Sequence, residues 1–313
     1  MYPKADKPTM YFIGVTTSHS AIMRVFPHWA KALSLGDCVL KGMDFKLHDE
    51  PGRYRAAVSH IKTDPLSLGA LVTSHKLDLL KASRDLFDEL GPYADALGEV
   101  SCLSKRDGKL IGHAKDPITV GLALKDFLPE NYWKETGAEV FILGAGGSSL
   151  ALTCYLMAPE RGEDRPPRIV VSNRSLRRLE EMQEKHKRLG MTLGTEYVHA
   201  PQPLANDRVI STIKPHSLIV NATGLGKDAP GSPLTDAAVF PANAIAWDFN
   251  YRGELVFLDQ ARAQKQEKDL TIVDGWVYFL HGWTSVISEV FHAAIPTEGP
   301  EFDRLSEIAR QHR

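Results

Sequence analysis

Cysteine is scarce in this sequence. Only Cys38, Cys102 and Cys154 occur among 313 residues, and no two of them form a C-x-x-C pair. That excludes a zinc ribbon or a disulfide framework and points to a reducing, cytoplasmic setting, with all three thiols read as small buried hydrophobes. No apolar run reaches 18 residues, so no membrane span is expected. Residues 1–9 hold two lysines and two prolines but no apolar stretch, so no secretory signal is expected there. Charge of one sign is missing too: the formal net charge is −2, with 24% charged residues. Such a balance sets up no field that would draw in nucleic acid or an anionic membrane. No internal repeat or low-complexity segment stands out.

What is present is enough apolar residue, 43%, to fill two cores, and the length suits two domains. Short apolar strands alternate with amphipathic helices. Met10–Val15, Cys38–Leu40 and Ser67–Thr73 read as strands. Ala21–Leu35, Tyr54–Ile61 and Lys76–Leu90 read as helices, the last stopped by Gly91-Pro92. Val100–Ser104 and Leu110–Ile111 flank a hairpin turn at Arg106-Asp107-Gly108-Lys109. From about Pro117 a second pattern begins. Its strands are Val140–Leu143, Ile169–Ser172, Leu218–Val220, Ala244–Trp247 and Thr271–Val273, and Leu176–Leu189 is a charged helix. Unbroken apolar strands in βαβ order indicate a parallel, doubly wound sheet covered on both faces. Val277–Phe291 and Glu301–Gln311 read as closing helices, and Ala158–Pro167 as a polar loop without a motif.

Gly144-Ala145-Gly146-Gly147-Ser148 lies between the strand Val140–Leu143 and a helix. Glycine there permits a tight turn and lets the backbone approach a pyrophosphate, whose charge the free N–H groups of the helix start would hold. A structural turn is the plain alternative. Where NAD-binding folds place an acid after the second strand, this chain has Asn173-Arg174-Ser175, with Arg177 and Arg178 just beyond. A guanidinium there suits the 2′-phosphate of NADP; the plain alternative is a solvated helix face.

Several short motifs add to this. Gly14 to Ser20 reads GVTTSHS, Gly69 to Lys76 reads GALVTSHK, and Gly112 to Asp116 reads GHAKD. Asn221 to Gly226 reads NATGLG, and Asp248 to Tyr251 and Asp274-Gly275 follow. In this order, together with Gly144–Gly147 and Asn173-Arg174-Ser175, the chain resembles the shikimate dehydrogenase family from about Tyr11 to Phe291. The resemblance implies an α/β fold: an N-terminal α/β substrate domain (1–116, completed by 277–313) and a Rossmann domain (117–276). It implies NADP as cofactor and a small shikimate-like hydroxy acid as substrate, in a monomer or homodimer. It also implies Lys76 and Asp116 as the catalytic acid–base pair. Ser20, Thr73, Ser101, Tyr251 and Gly282 fall at substrate positions. Gly144, Ala145, Gly146, Gly147, Ser148, Asn173, Arg174, Ser175, Arg178, Thr223 and Gly275 fall at cofactor positions.

The chemistry is coherent on its own terms. Hydride transfer to a carbonyl needs a proton for the developing alkoxide. A lysine at a helix start has its neutral form favoured by the helix dipole, while a carboxylate beside it favours the charged form. Four departures from the family pattern bear on substrate. Ile22 stands where a second serine is usual, and Ser101 where asparagine is usual. The stretch Thr73–Lys76 is one residue short and lacks its proline. Gly282, between His281 and Trp283, replaces a glutamine. Each change removes a polar group that would hold the ring acid, so weak activity on shikimate and better activity on a related hydroxy compound such as quinate is expected. His75, His113 and His281 are further candidate contacts, without metal-site spacing, so no metal is expected. Two other readings stay open: a different NADP dehydrogenase acting on a folate or an amino acid, and a non-catalytic NADP-binding protein.

Overall fold

A computed structural model describes residues 2–191, 194–227 and 229–313. The chain divides into two units, Met1–Thr119 with Leu280–Arg313, and Val120–Phe279.

The first unit contains β1 (Thr9–Gly14), α1 (Ile22–Ala32), β2 (Val39–Asp44), α2 (Pro51–Thr63), β3 (Ser67–Val72) and α3 (Lys76–Ser83). Next come β4 (Glu89–Leu90), α4 (Pro92–Leu97), β5 (Cys102–Arg106) and β6 (Lys109–His113). They build a six-stranded sheet in the order β2-β1-β3-β5-β6-β4. The β1 strand is parallel to both β2 and β3, and every one of its residues is buried. That is the pattern expected of a strand with both faces covered. The strands β3, β5 and β6 pair antiparallel. The β5–β6 hairpin turns on Asp107 and Gly108, both at positive φ (52° and 77°), which is the two-residue turn anticipated from Asp-Gly.

One helix is shorter than its periodicity predicts. Leu86, Phe87 and Leu90 prolong the apolar stripe of α3, yet the helix ends at Ser83, where the Ser83 hydroxyl bonds back to the Leu79 carbonyl. Asp88 then fixes the chain against β6: its carboxylate accepts the Leu110 N–H at 2.8 Å and its own N–H donates to the Leu110 carbonyl at 2.9 Å. Glu89–Leu90 is thereby drawn into a parallel edge pairing instead of a helical turn. Gly91-Pro92 is likewise a beginning, with Pro92 in the first turn of α4 and Gly98 closing it in the left-handed region.

The helix α5 (Asp116–Lys125) carries the chain into the second unit, which contains α6 (Tyr132–Thr136), β7 (Val140–Leu143), α7 (Gly147–Met157), β8 (Ile169–Asn173), α8 (Leu176–Arg188) and β9 (Thr195–His199). It continues through α9 (Pro203–Ile210), β10 (Leu218–Asn221), β11 (Ile245–Asp248), α10 (Val256–Lys268) and β12 (Thr271–Val273). All its strand pairings are parallel, in the order β12-β11-β10-β7-β8-β9. This is the doubly wound arrangement with β7 and β10 at the point where strand order reverses. Phe141, Ile219, Phe240 and Phe257 anchor its core.

The chain returns to the first unit along α11 (Trp276–Phe291), and α12 (Pro300–Gln311) ends it. Trp283 of α11 meets Phe12 of β1 edge-to-face at 5.0 Å. The buried indole of Trp29 on α1 donates to the Leu305 carbonyl of α12 at 2.8 Å.

Candidate active site

In the first unit the chain leaves β3, passes Thr73 and turns at Ser74, which has a φ of 61°. It then enters α3 through His75 and Lys76. The His75 ring is fully buried. Its Nδ1 lies 3.0 Å from the Tyr54 hydroxyl of α2, which also accepts the Asp49 N–H at 3.1 Å. Phe45 stacks on Tyr54, with ring centroids 5.0 Å apart. Burial lowers the His75 pKa and keeps the ring neutral. A plugged, uncharged histidine thus fixes the residue directly before Lys76.

Lys76 Nζ forms an ion pair with the carboxylate of Asp116, the first residue of α5, and both side chains are mostly buried. Burial pulls the Lys76 pKa below the ordinary lysine range, while the negative charge of Glu99 pushes it back. Contact with Asp116 also favours the ammonium. Asp116 is itself held in place from behind. The Ser101 hydroxyl accepts the Lys115 N–H at 2.8 Å, and Lys115 Nζ pairs with Glu289 of α11 at 2.6 Å.

The other expected substrate-side residues have mixed surroundings. Ser20 is largely buried, at the turn into α1. Thr73 donates its N–H to the Ile13 carbonyl at 2.9 Å. Ile22 has no exposed surface and belongs to the core of the unit. At Gly282 a Cβ would meet nothing within 4 Å, so the absent side chain leaves open space. His113 Nε2 lies 2.9 Å from the Ser104 hydroxyl and 3.5 Å from Glu289. His281 stacks on Phe302 at 4.6 Å, inside the unit. Each of the three candidate histidines thus has contacts within the first unit, and His113 keeps part of its surface exposed. Among the described residues no group of three His, Cys, Asp or Glu side chains could hold a metal ion.

In the second unit the glycine turn follows β7. Gly144 has a φ of 110°, and a Cβ on it would lie 2.9 Å from the Ala222 carbonyl oxygen, so a side chain is excluded twice over. Around Gly146, the residue before α7, a Cβ would meet nothing within 4 Å: the backbone stands open to an approaching group. The first-turn N–H groups of α7 lack helical partners by construction, and the buried hydroxyls of Ser149 and Ser172 have no hydrogen-bond partner. An anionic pyrophosphate fits this donor set. Arg174 is exposed after β8, and its guanidinium makes no ion pair among the described residues. Arg178 leans on Glu181 at 3.4 Å. Asn173 Nδ2 donates to the Ser175 carbonyl at 3.1 Å, shaping that turn.

Thr223 stands against the glycine turn, held by Asn221 Oδ1, which accepts its hydroxyl at 2.6 Å and its N–H at 3.1 Å. Asn221 in turn donates to Asp248 at 2.9 Å, whose other oxygen accepts the Asn250 N–H at 2.8 Å. Burial raises the Asp248 pKa to about 6, against these hydrogen bonds. Gly275 is required by the chain itself, since a Cβ there would lie 2.1 Å from the Phe249 carbonyl oxygen. Tyr251 packs on Trp276 and Phe279, with ring centroids 5.4 and 4.7 Å away.

Glu99, Lys115 and Glu289 went unremarked as site residues in the sequence. Lys115 falls inside the GHAKD motif, and Glu99 is a charge within the otherwise apolar run Leu97-Gly98-Glu99-Val100.

No family model matches the chain. It is 29% identical over 238 residues to the shikimate dehydrogenase (NADP(+)) of Lactococcus lactis subsp. cremoris, covering 72% of this chain and 78% of that one. Its fold matches the shikimate dehydrogenase of Aquifex aeolicus with a TM-score of 0.72 at 20% identity, over 99% of both chains. It matches the quinate dehydrogenase of Corynebacterium glutamicum in complex with NAD with a TM-score of 0.71 at 20% identity, over 97% of this chain and 99% of that one.

Proposed function

We propose that the chain is a member of the shikimate dehydrogenase family and an NADP-dependent oxidoreductase interconverting a ring hydroxyl and its ketone on a small hydroxy acid. The observation that carries this reading is the Lys76–Asp116 ion pair, mostly buried at the start of α3 and braced through Ser101, Lys115 and Glu289. In this reading the first unit holds the substrate, and the glycine turn of the second unit holds the cofactor, with Arg174 on its 2′-phosphate.

NADP+, when bound, supplies the acceptor for the hydride that leaves the carbinol carbon. Lys76 handles the other half of the oxidation. As the neutral amine it takes the hydroxyl proton, so that charge does not build up on the oxygen as the C–H bond breaks. In the reverse direction the ammonium returns that proton to the carbonyl oxygen. Asp116 fixes the direction of the Nζ–H bonds and stabilises the ammonium. The low-dielectric surroundings keep the lysine able to exist in both forms at moderate pH. Ser20 and Thr73 supply hydroxyls for the substrate acid.

A re-aimed substrate pocket is favoured by two observations. The Ser101 hydroxyl is already engaged with the Lys115 N–H, and Gly282 leaves open space where a side chain could have held the ring. Shikimate is thus expected to be a weaker substrate than a bulkier or differently substituted relative. The test is the absorbance of reduced nicotinamide with shikimate, quinate and a panel of ring hydroxy acids, each with NADP and with NAD. Better turnover of shikimate than of every relative would overturn the re-aimed pocket. Binding of NADP without turnover of any alcohol would overturn the enzyme reading.

A further inference from the structure

The strands β7, β10 and β11 end in register, with Leu143 beside Asn221 and Asn221 beside Asp248. Neither Asn221 nor Asp248 has exposed surface. A carboxylate can only accept hydrogen bonds, so its two oxygens dictate which way the neighbouring amides face. One oxygen of Asp248 accepts from Asn221 Nδ2 at 2.9 Å, the other from the Asn250 N–H at 2.8 Å. With its nitrogen turned to Asp248, Asn221 presents Oδ1 to the hydroxyl and the N–H of Thr223. Asn250 donates Nδ2 to the Thr223 carbonyl at 3.0 Å and to the Leu225 carbonyl at 3.4 Å. Its own carbonyl accepts the Gly275 N–H at 3.0 Å. One buried carboxylate thus governs both the donors and the carbonyl of Thr223, and through Asn250 it is tied to Gly275. Thr223 is also the residue that abuts the glycine turn: a Cβ on Gly144 would lie 3.2 Å from its methyl group.

Strand order gives this cluster its place relative to the cofactor. Arg174 follows β8, on one side of β7, while β10, β11 and β12 lie on the other. A dinucleotide with its pyrophosphate at the glycine turn and its 2′-phosphate at Arg174 must extend its other half over the ends of β10 and β11. We propose that Asp248 is a positioning residue for that nicotinamide half, acting through Asn221 and Asn250 to hold Thr223 against the glycine turn. Asp248 itself stays buried behind the turn. The inference rests on the cofactor reading of the glycine turn, but its test needs no turnover.

Two ligands are titrated into the protein by calorimetry: NADP, and adenosine 2′,5′-bisphosphate, which carries only the adenine half. Asp248→Asn keeps the shape of the side chain but turns an NH2 toward Asn221 or the Asn250 N–H, so one hydrogen bond of the cluster is lost and the Thr223 turn is released. NADP should bind about tenfold more weakly, the worth of one hydrogen bond to a charged group, while the adenine half binds as in wild type. General damage to the fold would weaken both ligands alike. Unchanged NADP binding by folded D248N overturns the proposal, and so does an equal loss for both ligands. Should D248N fail to fold, N250A, which removes the amide holding the Thr223 and Leu225 carbonyls, should show the same split between the two ligands; no split overturns the proposal. A wild-type protein that binds neither ligand would sink the cofactor reading on which the proposal stands.

Discussion

Tyr54→Phe removes one hydroxyl and nothing else, and its consequence follows from what that hydroxyl touches. It lies 3.0 Å from His75 Nδ1 and 3.1 Å from the Asp49 N–H, and at 3.3 Å from the Lys46 carbonyl. The Lys46–Asp49 turn is near solvent and can be rehydrated, so its loss is small. His75 has no exposed surface, and stranding its Nδ1 costs about 1–3 kcal/mol. With 2–4 °C per kcal/mol for a body of this size, the melting temperature should fall by roughly 2–12 °C. Stability is only half of the expectation. His75 is the plug behind Ser74, whose positive φ is kept by its surroundings, and Lys76 is the next residue. Small displacements of a proton-transfer group are expensive in rate, up to about a hundredfold for 1 Å. The variant should therefore lose kcat by about tenfold while the Kd for NADP stays put. The assay pairs thermal unfolding with initial rates over a range of substrate concentration. A lower melting temperature with unchanged kcat would refute the positioning role and leave His75 as core packing only.

Three further outcomes are expected. Asp116→Asn should lower kcat by about a hundredfold or more while NADP binding, measured by calorimetry, is unchanged; a loss under threefold would remove Asp116 from the chemistry. Arg174→Ala should weaken NADP by about 10–100-fold, the worth of charged hydrogen bonds to a phosphate, and leave NAD nearly untouched; equal losses would exclude a 2′-phosphate contact. His186, buried between Thr153 and Tyr197, has its pKa pushed down by burial to about 4. The unfolded chain then protonates first as pH falls, so stability present above pH ~6.5 drains away toward pH 4, by about 3 kcal/mol in total. Urea unfolding of His186→Gln should show a visibly shallower fall than wild type over that window; parallel curves would contradict it.

The legibility of the sequence was uneven for physical reasons. The strands Val140–Leu143 and Ile169–Ser172 announced themselves because parallel strands covered on both faces need unbroken apolar runs. The Asp107-Gly108 turn did so because few residues tolerate its backbone. The end of α3 was hidden, since Leu86, Phe87 and Leu90 are apolar for the sake of burial and keep the helical spacing by coincidence; the decisive contact, Asp88 with Leu110, is between residues 22 apart. At the site, Lys76 and Asp116 were legible only through the resemblance, being 40 residues apart. The bracing by Lys115 and Glu289 spans 174 residues and leaves no local pattern at all. Ile22 shows the reverse case: its place in the motif suggested the site, but its burial puts it in the core.

The hydrogen bond from Trp29 to Leu305 joins residues 276 apart, and that separation constrains how the chain acquires its structure. The second unit is contiguous and can form as soon as its own residues leave the ribosome. The first unit has its sheet early but lacks α12 until the whole second unit has been made. In the interval the face of α1 around Trp29 stands uncovered, an apolar surface exposed to chance partners. Completion therefore waits on the slow closure of a long loop, and α12 acts as the last clasp. A chain released before α12 would carry an intact second unit and an unfinished first one, a natural client for chaperones.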